Sequence, residues 1–307
     1  MKKITIIGAG RVGEATAWFL AKEDMAREVV LLDVREGVAQ GAALDLQASA
    51  PLFGFDCRVT GGTDVKLMKG SNLVIVTAGV PRKPGMSRSD VLDTNVAVID
   101  EVVDGVLEHA PEAMLLMVTN PVDVLTYRAW KRTGWDRARV FGQAGVLDSA
   151  RMAAFIALET GLSVRDINAM VLGGHGDQMV PMLRYSTISG IPVEYFVGKE
   201  ALHRIVERTR NGGAEVLALR QTSSAYDAPA TAITAMVDAI EHDRKRILPS
   251  VAILQGEYGF EDTAMGVPCV LGTGGVERIV ELELTAEEGE QFRHSLASVE
   301  HDIARLR

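Results

Sequence analysis

Residues 4–13 read ITIIGAGRVG, an apolar run that ends in three spaced glycines and leads straight into the helix-like stretch GEATAWFLAKED. In a turn between a strand and a helix, Gly8 permits the tight bend, Gly10 lets a pyrophosphate approach the backbone, and Gly13 lets the helix pack close on the strand. The unpaired N–H groups at the start of such a helix then face the phosphates. A lone G-x-G-x-x-G pattern also occurs in purely structural turns. Here Asp33 ends the next apolar run, VVLLDV, about 20 residues beyond the last glycine, where a carboxylate can accept hydrogen bonds from both ribose hydroxyls. Strand, turn, helix and acid together predict a dinucleotide site. Asp33 opposes a 2′-phosphate, which favours NAD over NADP; Arg35 works the other way, since a nearby arginine can hold that phosphate.

The rest of the first half repeats the strand–helix rhythm. ITIIGAG, VVLLDV, LVIVTAG, AMLLMVTN and ARVFGQ are apolar on both faces, as strands inside a parallel sheet must be. Between them lie the helical stretches GEATAWFLAKED, GVAQGAALDLQASA and SDVLDTNVAVIDEVVDGVLEHA. This alternation predicts an α/β, Rossmann-type doubly wound parallel sheet over residues 1–145. After that the pattern changes to helix DSARMAAFIALETG, strand DINAMVLGG, helices across 198–240, strand-like RILPSVAILQG and VPCVLGTGGVERIVELEL, and a charged helix from Thr285. An α+β catalytic domain over 146–307 is expected, packed on the first because no low-complexity linker separates them.

Composition removes several classes of function. A formal net charge of -9 argues against a nucleic-acid partner, which would require a basic face. Charged residues interrupt every apolar run before the roughly 18 residues a membrane span needs, and the start lacks the pattern of a signal peptide. Cys57 and Cys269 form neither a disulfide framework nor a metal motif, so no metal and a reducing, cytoplasmic setting are expected.

Five of the six histidines lie in charged, helix-like surroundings; His175, in VLGGHGD, follows a strand and is flanked by glycines. It is either a loop histidine satisfied by a carbonyl or a group placed to exchange a proton near neutral pH. In LDSAR, Asp148 and Arg151 stand one helical turn apart, either as a modest intrahelical salt bridge or with Asp148 directed at His175 and Arg151 at an anionic substrate. Asn120, in VTNP, ends a strand where open α/β sheets bind ligands, though Asn-Pro is also an ordinary turn. The stretch PRKPGMSR gathers Arg82, Lys83 and Arg88 on a loop of an acidic chain.

GAGRVG, LLDV, AGVPRKPGMSRSDV, VTNPVD, GVLDSAR and GGHGD occur in an order and spacing that resemble the lactate/malate dehydrogenase family, and SSAYDAPA and GGVERIVEL carry the likeness to the C-terminus. GVLDSAR is similar to the malate-specific branch nearest the lactate enzymes. The resemblance implies reversible, NAD-dependent oxidation of a 2-hydroxy acid. It implies that His175 carries the proton, Asp148 orients it, and Arg151 holds the substrate's C1 carboxylate. It further implies that Arg88 polarises the ketone, that Asn120 hydrogen-bonds in the active site, and that Arg82 reads the far end of the substrate. Asn95 and Asn120 join Gly8, Gly10, Gly13 and Asp33 as expected cofactor contacts. The segment 81–91 is then the active-site lid. Arg82 points to a dicarboxylate, malate or oxaloacetate, over lactate, and Ala225 is expected to line the same pocket. A homotetramer or homodimer is implied, with helices at 37–50 and 147–160 buried against the partner. Competing readings are a lactate dehydrogenase, an NAD-dependent glycosidase, and a non-catalytic NAD sensor.

Overall fold

Parallel strands that are apolar on both faces need helices above and below them, and the chain supplies both. The protein, seen here in a computed structural model, is described over residues 1–80 and 88–306, with the backbone alone for 88–90. The first half runs β1 (Lys3–Ile7), α1 (Arg11–Lys22), β2 (Glu28–Leu32), α2 (Val38–Phe53), β3 (Arg58–Gly62), β4 (Leu73–Val76), α3 (Arg88–His109), β5 (Met114–Met117), α4 (Val122–Thr133) and β6 (Val140–Gln143). After α5 (Gly145–Thr160) come five two-residue strands, β7 (Ile167–Asn168), β8 (Val171–Leu172), β9 (Val180–Pro181), β10 (Thr187–Ile188) and β11 (Ile191–Pro192). Helices α6 (Lys199–Arg220) and α7 (Asp227–Glu241) follow, then β12 (Arg246–Gln255), β13 (Glu261–Gly272), β14 (Gly275–Ile279) and α8 (Ala286–Ala304).

Strands β1 to β6 are parallel in the order β3-β2-β1-β4-β5-β6. The direction of winding reverses between β1 and β4, and open α/β sheets bind ligands outside the carboxyl ends of the strands at such a reversal. Ile4, Ile6, Leu31, Ile75 and Leu115 are fully buried in the middle of the sheet. The parallel sheet is followed by a C-terminal α/β portion whose long meander joins it: β12 pairs antiparallel with β6 through Ser250–Gln143 and Val251–Gly142, making nine strands in all. Helix α7 packs on α1, and α5 packs on both α6 and β12.

Three strand readings from the sequence need correction. The edge strand β3, RVTGG, lies between runs that were read as strands, and its glycines and exposed Arg58 hide it. DINAMVLGG divides into β7 and β8, which pair with different neighbours. The run 267–284 is the end of β13 and all of β14, folded back at Thr273–Gly274, and β13 itself begins six residues earlier at Glu261.

Candidate active site

The loops after β1, β4 and β5 are cross-linked to one another at the winding reversal. Thr77 Oγ1 donates to the Gly8 carbonyl (2.8 Å) and Thr119 Oγ1 to that of Ala78 (2.7 Å). Asn95, buried on α3, accepts the Val80 N–H at Oδ1 (2.7 Å) and donates from Nδ2 to the Asn120 carbonyl (2.7 Å). The expected cofactor residue Asn95 therefore braces two of the loops with its amide. The Asn120 side chain itself is exposed at the end of β5, ahead of a cis peptide bond to Pro121.

The glycine turn fits a dinucleotide. Gly8 has φ of 105°, and a Cβ there would lie 2.6 Å from the Ala78 nitrogen; a Cβ on Gly13 would run into the Gly8 carbonyl. A Cβ on Gly10, by contrast, would meet nothing within 4 Å, so the middle glycine faces open space. Helix α1 begins there with no side-chain cap, leaving its first N–H groups free of side-chain acceptors. Asp33, at the end of β2, accepts the Ala9 N–H at Oδ2 (3.0 Å), tying strand to turn. Its Oδ1 accepts the Arg35 backbone N–H (3.0 Å) and Nε (3.1 Å). Burial pushes the Asp33 carboxyl up, but the Arg35 bonds and the Ala9 N–H outweigh it and hold the group below the usual range.

Beyond the Asn120 loop, GGH forms a loop whose three successive N–H groups are held by three different elements. Gly173 donates to the Gly266 carbonyl of β13 (2.9 Å), Gly174 to Ser295 Oγ of α8 (2.9 Å), and His175 to Asp123 Oδ2 of α4 (2.8 Å). The imidazole Nδ1 is 2.8 Å from Asp148 Oδ2, and Arg151 Nη1 is 3.2 Å from Asp148 Oδ1. The two sequence alternatives for Asp148 are thus both realised, one on each oxygen. With Nδ1 committed, Nε2 is the ring nitrogen left for a substrate. Asp148 is buried at 2% exposure, while His175 and Arg151 keep 18% and 15%. Desolvation alone would lower the imidazole pKa; Asp148, by charge and hydrogen bond, and then Asp123, outweigh it and raise the pKa above 6.5.

Arg151 lies across α6, where a Cβ on Gly212 would be 3.3 Å from its Cδ. Ala225 is half-buried between α6 and α7. Arg82 and Lys83 lie outside the described residues; the Arg88 backbone opens α3, and its side chain is outside them too. Among the described residues no cluster of three His, Cys, Asp or Glu could hold a metal, and no helix is long and apolar enough to cross a membrane. Asp123, Ser295 and Gly212 were not singled out from the sequence. Asp123 was within reach there, since VTNPVD contains it.

A dinucleotide turn and a carboxylate–histidine–arginine cluster in one chain define a dehydrogenase of the kind the motifs suggested, and the family comparison agrees. The lactate/malate dehydrogenase NAD-binding domain matches residues 2–142, and the alpha/beta C-terminal domain of the same family matches 145–306. The chain belongs to the lactate/malate dehydrogenase family. It is 72% identical to a malate dehydrogenase of Thioalkalivibrio sulfidiphilus over the full length of both chains. It is 67% identical to that of Nitrosococcus oceani over 100% of this chain and 98% of the other. Among solved structures it is similar to Salinibacter ruber malate dehydrogenase (TM-score 0.95, 43% identity, 99% of this chain and 97% of that one). It is similar also to a Cryptosporidium parvum lactate dehydrogenase complexed with lactic acid and nicotinamide adenine dinucleotide (TM-score 0.96, 38% identity, 99% and 98% covered). The backbone is about equally like the solved malate and lactate enzymes, whereas the relatives at 72% and 67% identity are both malate dehydrogenases.

Proposed function

We infer that the chain is an NAD-dependent malate dehydrogenase, interconverting (S)-malate and oxaloacetate. The observation that supports it best is the bridge from His175 through Asp148 to Arg151, in a chain 72% identical to a malate dehydrogenase over its whole length. Gly8, Gly10, Gly13 and Asp33, with Asn95 and Asn120 on the neighbouring loops, hold the dinucleotide, and residues 146–307 hold the substrate. NAD, when bound, supplies the hydride acceptor of oxidation and, once reduced, the donor of reduction.

The protein supplies the proton and the charges. In oxidation, neutral His175 takes the hydroxyl proton at Nε2 while Asp148 stabilises the imidazolium that forms. In reduction the imidazolium returns it to the developing alkoxide. Arg151 spends one nitrogen on Asp148 and offers the rest of its fork to the C1 carboxylate, a planar group it can bind through both oxygens. Arg88 polarises the ketone, and Arg82 takes the second carboxylate. Two negative charges in a site that excludes water each need a partner, which is why these cations gather on an acidic chain. The enzyme works in the cytoplasm as a homodimer or homotetramer, and the exposed Leu44 on α2 and Leu158 on α5 support burial of those helices against a second copy.

NADH consumption with oxaloacetate and with pyruvate, in the parent and in Arg82→Gln, tests this reading. Leaving the distal carboxylate unpaired costs roughly 2 to 5 kcal/mol, so kcat/KM for oxaloacetate falls by about 1.5 to 3.5 decades. Pyruvate lacks that charge and should be reduced as well or better. An equal fall for both substrates would remove the case for malate, and a parent protein inactive on both would remove the case for the enzyme.

A further inference from the structure

Asp123 is a carboxylate the chemistry above does not use; its place in the first turn of α4 favours a negative charge there, but its burial works against one. It sits in the first turn of α4, 4% exposed, three residues beyond Asn120. Oδ2 accepts the His175 backbone N–H at 2.8 Å. Oδ1 is buried without a hydrogen-bond partner among the described residues. A neutral acceptor could hold the His175 N–H equally well, as Ser295 does for Gly174 next to it. Burial, only partly offset by the His175 N–H and the imidazole charge, pushes the Asp123 carboxyl up to about 6. A carboxyl whose pKa is raised on folding favours the folded state while protonated, and that contribution is lost as pH rises through about 6. Above that pH the fold keeps an ionised, half-satisfied group at a cost to stability.

We propose that Asp123 is a positioning residue for His175: it fixes the histidine's backbone relative to the Asn120 loop and sets a second negative charge beside the imidazole. The charged groups facing His175 among the described residues are Asp148 and Arg151 from α5 and Asp123 from α4. Arg151 opposes the imidazolium and shares Asp148 with it, so Asp148 alone serves two cations. Asp123 restores the balance. It also joins the two halves of the site through one short segment, since α4 starts where the β5 loop ends. The proposal rests on the dehydrogenase reading for its consequence in turnover, and on geometry alone for its effect on the ring.

The test is the NMR titration of the His175 imidazole in the parent and in Asp123→Asn, the resonance being assigned by its absence from His175→Asn. Asparagine keeps an oxygen for the His175 N–H and removes the charge, so the His175 pKa should fall by about one unit. The apparent pKa of kcat/KM for malate should fall with it. Asp123→Ala loses the acceptor too and should lower kcat further while KM for malate changes less than threefold. An unchanged His175 titration in Asp123→Asn overturns the proposal, as does failure of that variant to fold, which would make the carboxylate a core residue. Neither result touches the dehydrogenase reading, which fails instead if the parent does not turn over malate or oxaloacetate.

Discussion

Asp148 divides its oxygens between a proton carrier and a substrate clamp, so neutralising it should disturb both. Oxidation of malate needs neutral His175, so its kcat/KM should rise with pH and level off above an apparent pKa higher than 6.5; reduction of oxaloacetate needs the imidazolium and should fall over the same interval. In Asp148→Asn the partner charge is gone, and both limbs should move to lower pH, with turnover reduced about 10²-fold or more. Profiles that lose amplitude but keep their midpoint would mean that Asp148 only shapes the helix. The pair of Asp148 and His175 was legible only through the six motifs taken together, since LDSAR alone reads equally as an intrahelical ion pair and GGHGD as a glycine-rich turn. Asp123 was not, since an acid in the first turn of a helix reads as an ordinary partner for the helix dipole. The Arg35 bonds to Asp33 were equally hidden, because two side chains two residues apart meet only when the loop bends.

The elements show where local pattern suffices and where it fails. The double glycine in α6 breaks the helical pattern at Gly212 and Gly213, at a cost of about 1 kcal/mol each relative to alanine, and only the first has a neighbour that explains it. A Cβ at 212 would press on the Arg151 side chain, whereas one at 213 would meet nothing within 4 Å. Leucine at either position brings the same helix propensity, so the two variants form a matched pair. Gly212→Leu should displace Arg151 and raise KM for oxaloacetate about tenfold or more, while Gly213→Leu should leave KM unchanged and raise Tm. Equal KM values would separate Gly212 from substrate binding. Strands β1, β2, β4, β5 and β6 of the parallel sheet were legible since each is an apolar run buried between helices. Edge strand β3 was missed because one side of it faces solvent and two of its five residues are glycines. The length of β13 was missed because its first half, EDTAMG, opens on two exposed acids and carries Thr263 and Gly266 among its buried residues, so it lacks the continuous apolar run of the second half. That β12 pairs with β6 depends on contacts more than a hundred residues apart, which no local pattern encodes.

At the scale of the whole molecule the open question is what covers α2 and α5. Leu44 and Leu158 are each 73% exposed, on helices whose buried residues are, Asp148 apart, small or apolar. Closed oligomers are symmetric, and across a two-fold axis the same patch appears on both subunits, so any substitution in it counts twice. Removing a buried leucine side chain costs roughly 1.5 to 3 kcal/mol, and placing a carboxylate in its place adds desolvation. Leu158→Asp should therefore weaken association by at least about 3 kcal/mol per dimer, two or more decades in Kd. Light scattering across a hundredfold dilution series should show the parent holding one mass while Leu158→Asp falls towards the monomer, with circular dichroism unchanged if the subunit stays folded. Because the substituted residue lies on the same helix as Asp148 and Arg151, the monomer should also lose activity if the partner holds α5 in place. A variant that keeps the parental mass at every dilution would place the contact elsewhere and leave Leu158 as a solvent-facing side chain.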